Sequence, residues 1–138
     1  MTAAVRAEGA RPVQSFLAFD FGIKRVGVAA GNTLLRSAQP LRTLALEGDA
    51  RFEAIGALIR EWAPDGLVVG VPFHPDGAAH DNTARARRFG RQLHGRFGLA
   101  VHEVDERYTT TAAREAHARD ADAAAAALIL DQFLRDCP

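Results

Sequence analysis

Apolar residues run almost unbroken from Phe16 to Phe19 and again from Val26 to Ala30, on either side of a short turn that contains Gly22. Such runs bounded by turn residues predict two strands, 16–20 and 26–31, joined as a hairpin. The first is apolar on both faces, as expected of a strand covered on both sides. A third strand is predicted within 33–46, interrupted near Pro40. Asp49, following Gly48, is placed to cap a helix in which Phe52, Ile55, Leu58, Ile59 and Trp62 recur at helical spacing. Pro64-Asp65-Gly66 ends it. "LVVGVP" (67–72) predicts a buried strand, and "FHPDGAAHDN" the loop after it. Helix returns over 83–97, where Ala86, Phe89, Leu93 and Phe97 form one stripe and Arg87, Arg88 and Arg91 the opposite side, with Arg85 and Arg96 at the border. A strand at 99–104 and a helix from about Asp120 to Arg135 complete the pattern.

Consecutive strands early and strand–helix alternation later predict an α/β fold, a mixed sheet flanked by helices. Right-handed crossovers set the strands at 67–71 and 99–104 parallel to the first, so their C-terminal ends gather at one edge, where open α/β sheets carry their sites. Residues 1–15 read as a flexible tail without an apolar signal core, and 16–138 as a single domain.

Composition narrows the classes. The chain has 138 residues and a single cysteine, Cys137, so a disulfide framework and a cysteine metal site are both excluded. No apolar run approaches the roughly 18 residues of a membrane span. A cytoplasmic protein is expected, with no membrane partner. Formal net charge is +0, which argues against a partner held by bulk electrostatics alone. Lys24 is the only lysine and every other basic residue is arginine, whose planar fork suits phosphate.

Asp20 stands inside the first apolar run, and a carboxylate there is costly unless it is paired or binds a cation. Asp105 and Glu106 end the last strand. On the final helix Asp122 lines up with Ala126, Ile129 and Phe133 and points as the core residues do. Asp120, Ala124, Ala127 and Asp131 form a second stripe, expected to face water. Three acids gathered at one sheet edge repel one another unless a cation is bound. Oxygen ligands without cysteine favour Mg²⁺ or Mn²⁺, and two such ions serve phosphodiester hydrolysis. Each acid also has a structural reading: Asp20 paired with Arg25, Asp105 and Glu106 as surface charges, Asp122 satisfying a helix dipole. The five histidines show no metal-ligand spacing; His74, beside Asp76, is the one placed for a substrate contact.

"FDFGIKRVGVA", "VVGVPFHPDG", "DERYTT" and "DADAAAAALIL" resemble, in order, the four motifs of the YqgF (RuvX) family, described both as pre-16S rRNA nucleases and as relatives of Holliday junction resolvases. The resemblance spans residues 16 to 134 and implies a ribonuclease H-like fold. It implies Asp20, Glu106 and Asp122 as catalytic and metal-binding residues, and it selects Glu106 over Asp105, a choice that periodicity leaves open. Lys24, Arg25 and Arg107 beside the acids, and Arg85, Arg88 and Arg91 on the arginine-rich helix, are the expected substrate contacts. The segment between Glu106 and Asp122 is shorter than is usual in the family and lacks its lysine, Arg119 being the nearest replacement.

The leading expectation is a metal-dependent nuclease acting on structured RNA, in 5′-end maturation of precursor 16S rRNA. Expected partners are that RNA or branched DNA and the ribosomal small subunit, with the protein a monomer or weak dimer. The alternatives are a junction-resolving DNA endonuclease and a non-catalytic nucleic-acid or ribosome-binding module. An actin-like ATPase needs two such domains, for which the chain is too short.

Overall fold

A computed structural model describes residues 12–106 and 121–138. In chain order these form β1 (Ser15–Phe21), β2 (Val26–Asn32), β3 (Ala38–Leu44), α1 (Gly48–Trp62), β4 (Gly66–Val71), α2 (Thr83–Phe97), β5 (Ala100–Asp105) and α3 (Ala121–Asp136). The strands make one five-stranded sheet in the order β3-β2-β1-β4-β5. β2 runs antiparallel to β1 and to β3, whereas β4 is parallel to β1 and β5 to β4. This is the ribonuclease H-like mixed sheet, with β1 at its centre. Residues 1–11 of the expected tail, and Asp120 at the expected start of the last helix, lie outside the described residues.

The third strand is narrower than the 33–46 window. Its pairing slips between Val28 and Ala29, whose partners are Arg42 and Pro40. Proline donates no ladder bond, and β3 is an edge strand, where that loss is tolerated. The first helix also begins differently from expectation. Glu47 is its N-cap residue, with no side-chain bond, and Asp49 sits inside the first turn, where its charge meets the positive end of the helix dipole.

Alternation along the strands divides the core. On one face Leu17, Phe19, Val28, Leu67 and Val69 pack beneath Phe52, Ile55 and Leu58 of α1 and Phe89 and Leu93 of α2. Fully burying each of these large side chains contributes about 1.5–3 kcal/mol. On the other face Phe16, Ala18, Val68 and Val104 meet Ile129, Leu130 and Leu134 of α3, while Ala29 meets Ala126 and Ala127. Small residues on both sides let α3 lie close to the sheet.

The described part of the stripe that ends in Asp131 is turned partly inward, with Ala124 and Asp131 half-buried. Ala127 is buried, and Asp131 accepts a hydrogen bond of 2.8 Å from the Ala38 amide of β3. At the same end the Arg36 guanidinium donates to the carbonyls of Leu134, Cys137 and Pro138 at 2.8–2.9 Å. At the opposite end of the sheet the Thr83 hydroxyl donates to the Pro72 carbonyl, tying the start of α2 to the exit of β4. Among the described residues no helix is long and apolar enough to cross a membrane.

Candidate active site

Residues directly paired across a ladder project to the same face of a sheet. Asp20 pairs with Gly27 of β2 on one side and with Gly70 of β4 on the other. It follows Phe16 and Ala18 at intervals of two, so its side chain projects toward α3. Glu106 stands two residues beyond Val104, which packs on that same face. Asp105 is exposed, whereas Glu106 is buried. Asp122 lies in the first turn of α3. Asp20, Glu106 and Asp122 are only 2%, 6% and 8% exposed. Three acids buried on one side of one sheet edge are costly to keep charged without cations.

Two residues of the site escape the hydrophobic pattern. A Cβ at Gly27 would stand 1.7 Å from the backbone oxygen of Asp122, and a Cβ at Gly70 would stand 3.0 Å from the Glu106 carboxyl. The central acid is therefore flanked by two glycines, each making room for one of the other acids. A glycine inside a strand marks close approach of another group, and this is the signal present in the sequence.

Arg25 engages Asp122, not Asp20: its Nε lies 3.1 Å from Asp122 Oδ2, with the Arg25 side chain 64% exposed. Arg25 belongs to the β1–β2 turn, where Gly22 is required because a Cβ there would stand 2.6 Å from the Arg25 carbonyl oxygen. The turn is held from beneath by Arg51 of α1, a residue the sequence pattern does not single out. Arg51 is 5% exposed and donates to the carbonyls of Ile23 at 2.9 Å and Leu46 at 2.7 Å. Burial lowers its pKa from the ordinary arginine value, and the nearby Glu47 charge opposes that shift. Lys24 is exposed beside Arg25.

The arginines of α2 stand apart from the acids. This helix covers the face of the sheet opposite to Asp20, although Thr83 fixes its first turn near the edge where β4 ends. Arg87 pairs with Glu103 at 3.3 Å and Arg96 with Asp49 at 3.3 Å, so both are engaged within the fold. Arg85 bonds Asn82 at 3.2 Å, whereas Arg88 and Arg91 are exposed and carry no ion pair among the described residues. Arg107, Thr109, Thr110 and Arg119 lie outside the described residues. The His74 ring sits 5.1 Å from that of His80, whose Nδ1 accepts from the Asn82 amide.

The donors suit a hard divalent cation in kind, all oxygen and all from carboxylates on one face. Among the described residues no three acid, histidine or cysteine side chains converge tightly enough as they stand to form a metal cluster. Arg25 supplies positive charge at Asp122 in this arrangement.

Fold and edge together define a ribonuclease H-like protein. Residues 14–136 match the family described as "RuvX: Holliday junction resolvase", and the chain belongs to that family. It is 66% identical over 135 residues to a protein of Albidiferax ferrireducens named "Putative pre-16S rRNA nuclease", covering 94% of this chain and 86% of that one. A protein of the same name from Polaromonas sp. is 64% identical over 126 residues, covering 91% of each chain. Among solved structures, Pelota from Archaeoglobus fulgidus superposes with a TM-score of 0.51 at 9% identity, over 89% of this chain and 34% of that one, a likeness of fold alone.

Proposed function

We propose that this protein is a metal-dependent nuclease that hydrolyses phosphodiester bonds in structured RNA and matures the 5′ end of precursor 16S rRNA. The observation that carries the reading is the burial of Asp20, Glu106 and Asp122 on one face, at the edge where β1, β4 and β5 end. The names of the relatives at 66% and 64% identity support the choice of RNA.

In this reading the three carboxylates hold Mg²⁺ or Mn²⁺. Ions held there would supply an activated water and a counter-charge for the leaving oxygen. The chain's own residues do the rest. Asp20, fixed in the central strand, is the rigid member of the set, while Glu106 and Asp122 stand at the same sheet edge, on a strand end and a helix start. Lys24 and Arg25, on the turn braced by Arg51, contact phosphates next to the scissile bond, together with Arg107. Arg85, Arg88 and Arg91 bind more distant phosphates where the nucleic acid passes around the sheet edge onto α2. Residues 16–138 act as one domain, in the cytoplasm, as a monomer or weak dimer associated with the ribosomal small subunit.

The family description favours a second reading, a junction-resolving DNA endonuclease with the same chemistry. One assay separates the two. With Mg²⁺ or Mn²⁺ present, precursor 16S RNA, single-stranded RNA and a four-way DNA junction are offered at equal concentration. Cleavage of precursor RNA near its mature 5′ end, and not of the junction, is expected. Symmetric cleavage of the junction by a dimer selects the second reading, and no metal-dependent cleavage of any substrate overturns both.

A further inference from the structure

We propose that His74 and His80, in the loop between β4 and α2, form a platform on which an unpaired base of the substrate stacks beside the acids. The inference rests on the RNA reading given above and needs no bound metal.

The loop leaves the sheet next to the site. Glu106 donates its amide hydrogen to the carbonyl of Val71, the last residue of β4, at 3.2 Å. Phe73 then bridges to Ala79 in a small antiparallel turn. Successive residues of extended chain point opposite ways. Phe73 faces α2, where the Arg87 guanidinium lies 5.4 Å from its ring centroid. His74 therefore projects the other way, on the side of the sheet that carries Asp20. His80 is diagonal to His74 across the bridge and shares that side. The two rings meet with centroids 5.1 Å apart and planes at 43°.

The backbone under both rings is tied down. The His74 amide donates to the Ala78 carbonyl at 2.9 Å, and the His74 carbonyl accepts from the Gly77 amide at 2.8 Å. Gly77 closes this turn at a φ of 91°, a conformation that favours glycine. His80 Nδ1 accepts from the Asn82 amide at 3.1 Å, which orients that ring, and the His80 amide donates to the Thr83 hydroxyl at 2.8 Å. His80 thus has a structural task at the start of α2. The exposed His74 ring has only its contact with His80 among the described residues. RNA is recognised largely by stacking splayed bases on aromatic rings, histidine included. A ring already held in place adds little ordering cost to such a contact. With a formal net charge of +0 the chain exerts little long-range pull on RNA, so a contact of this uncharged kind counts for more.

The test uses a hairpin RNA with a single-stranded 5′ extension and the same hairpin without it. Each is bound to the full chain in EDTA, so that no cleavage intervenes. The variants are His74→Ala, His74→Trp, His74→Lys and His80→Asn, the last keeping an acceptor for the Asn82 amide while removing the supporting ring. His74→Ala should bind the extended RNA at least about fivefold more weakly, the least that one stacked base is worth in single-strand binding. His80→Asn should lose affinity in the same direction. His74→Trp should restore binding and His74→Lys should not. The slope of log affinity against log salt should stay the same in the alanine variant, because no phosphate contact is lost. All variants should bind the blunt hairpin as wild type does. Wild-type affinity of His74→Ala for the extended RNA, rescue by lysine, an equal loss on the blunt hairpin, or a His74→Ala protein that does not fold each overturns the platform. A wild-type protein that binds neither RNA has a different meaning: it removes the RNA reading itself, and the platform with it.

Discussion

Arg25 reaches from the β1–β2 turn to the first turn of α3 and sets its Nε 3.1 Å from Asp122 Oδ2. It thereby places a fixed positive charge where the proposed ions bind, on a side chain that is otherwise in water. A guanidinium and a divalent ion compete for the same carboxylate oxygen. Arg25→Gln should therefore tighten Mn²⁺ binding, by no more than about fivefold because an exposed pair is worth at most about 1 kcal/mol. The same variant should bind RNA more weakly, having lost a phosphate contact. Calorimetry of metal and RNA binding measures both, and weaker metal binding would show instead that Arg25 orients Asp122 for the ion.

Asp20→Asn keeps the shape of the central acid and removes its charge. Cleavage should fall by more than about a hundredfold, with the melting temperature in the absence of metal unchanged or raised, since a buried repulsion is relieved. Glu106→Gln should behave in the same way, whereas Asp105→Asn, altering an exposed carboxylate, should retain most activity. Near-normal cleavage by Asp20→Asn would end the metal-site reading. Equal losses in the Glu106 and Asp105 variants would remove the distinction between the two acids.

Of the α2 arginines, Arg87 and Arg96 are ion-paired and Arg85 bonds Asn82, which leaves Arg88 and Arg91 exposed with no ion pair among the described residues. Replacing both by alanine should weaken RNA binding and reduce the slope of log affinity against log salt by about two, one per phosphate released. Cleavage at saturating RNA should change much less. An unchanged slope would move the binding surface to Lys24, Arg25 and Arg107.

Arg51 is the buried cation among the described residues, and its hydrogen bonds end on two carbonyls. Arg51→Met should destabilise the protein by about 3 kcal/mol, as expected for losing two charge-assisted bonds and leaving the carbonyls unmet. Urea denaturation measures this. Because one of those carbonyls belongs to Ile23, the variant should also raise KM for RNA through the loosened turn while changing kcat little.

The elements most legible in the sequence are those whose pattern is local. β1, β2 and β4 are apolar runs closed by glycine or proline, and α2 carries its stripe from Ala86 to Phe97. β3 was harder to delimit because it is an edge strand, half in water, with Pro40 breaking its ladder. Asp131 looked solvent-facing since its partner, the Ala38 amide, lies 93 residues away in the chain. In the site, Asp20 was conspicuous as an acid in an apolar run. The choice between Asp105 and Glu106 was not resolved by alternation, because β5 is an edge strand exposed at four of its six positions. Only the packing of Val104 beneath α3 assigns the face. The roles of Gly27 and Gly70 depend on what the fold brings over them, which no local pattern encodes.

The grip of Arg36 on the Leu134 carbonyl of α3 and on those of Cys137 and Pro138 just beyond it has a mechanical consequence. Helix α3 rests on Gly27 and Ala29 along its first half, a smooth track, and interlocks with Phe16, Val68 and Val104 only along its second half. That packing, the Asp131 bond to Ala38, Arg36 at one end and the seat of Asp122 against Gly27 at the other together set its axial position. Asp122 and Leu134 are about 18 Å apart along the helix, twelve residues at the usual rise. Loss of the Arg36 clamp would thus act as a calibration error on a distant acid, shifting Asp122 along the strand ends without touching it.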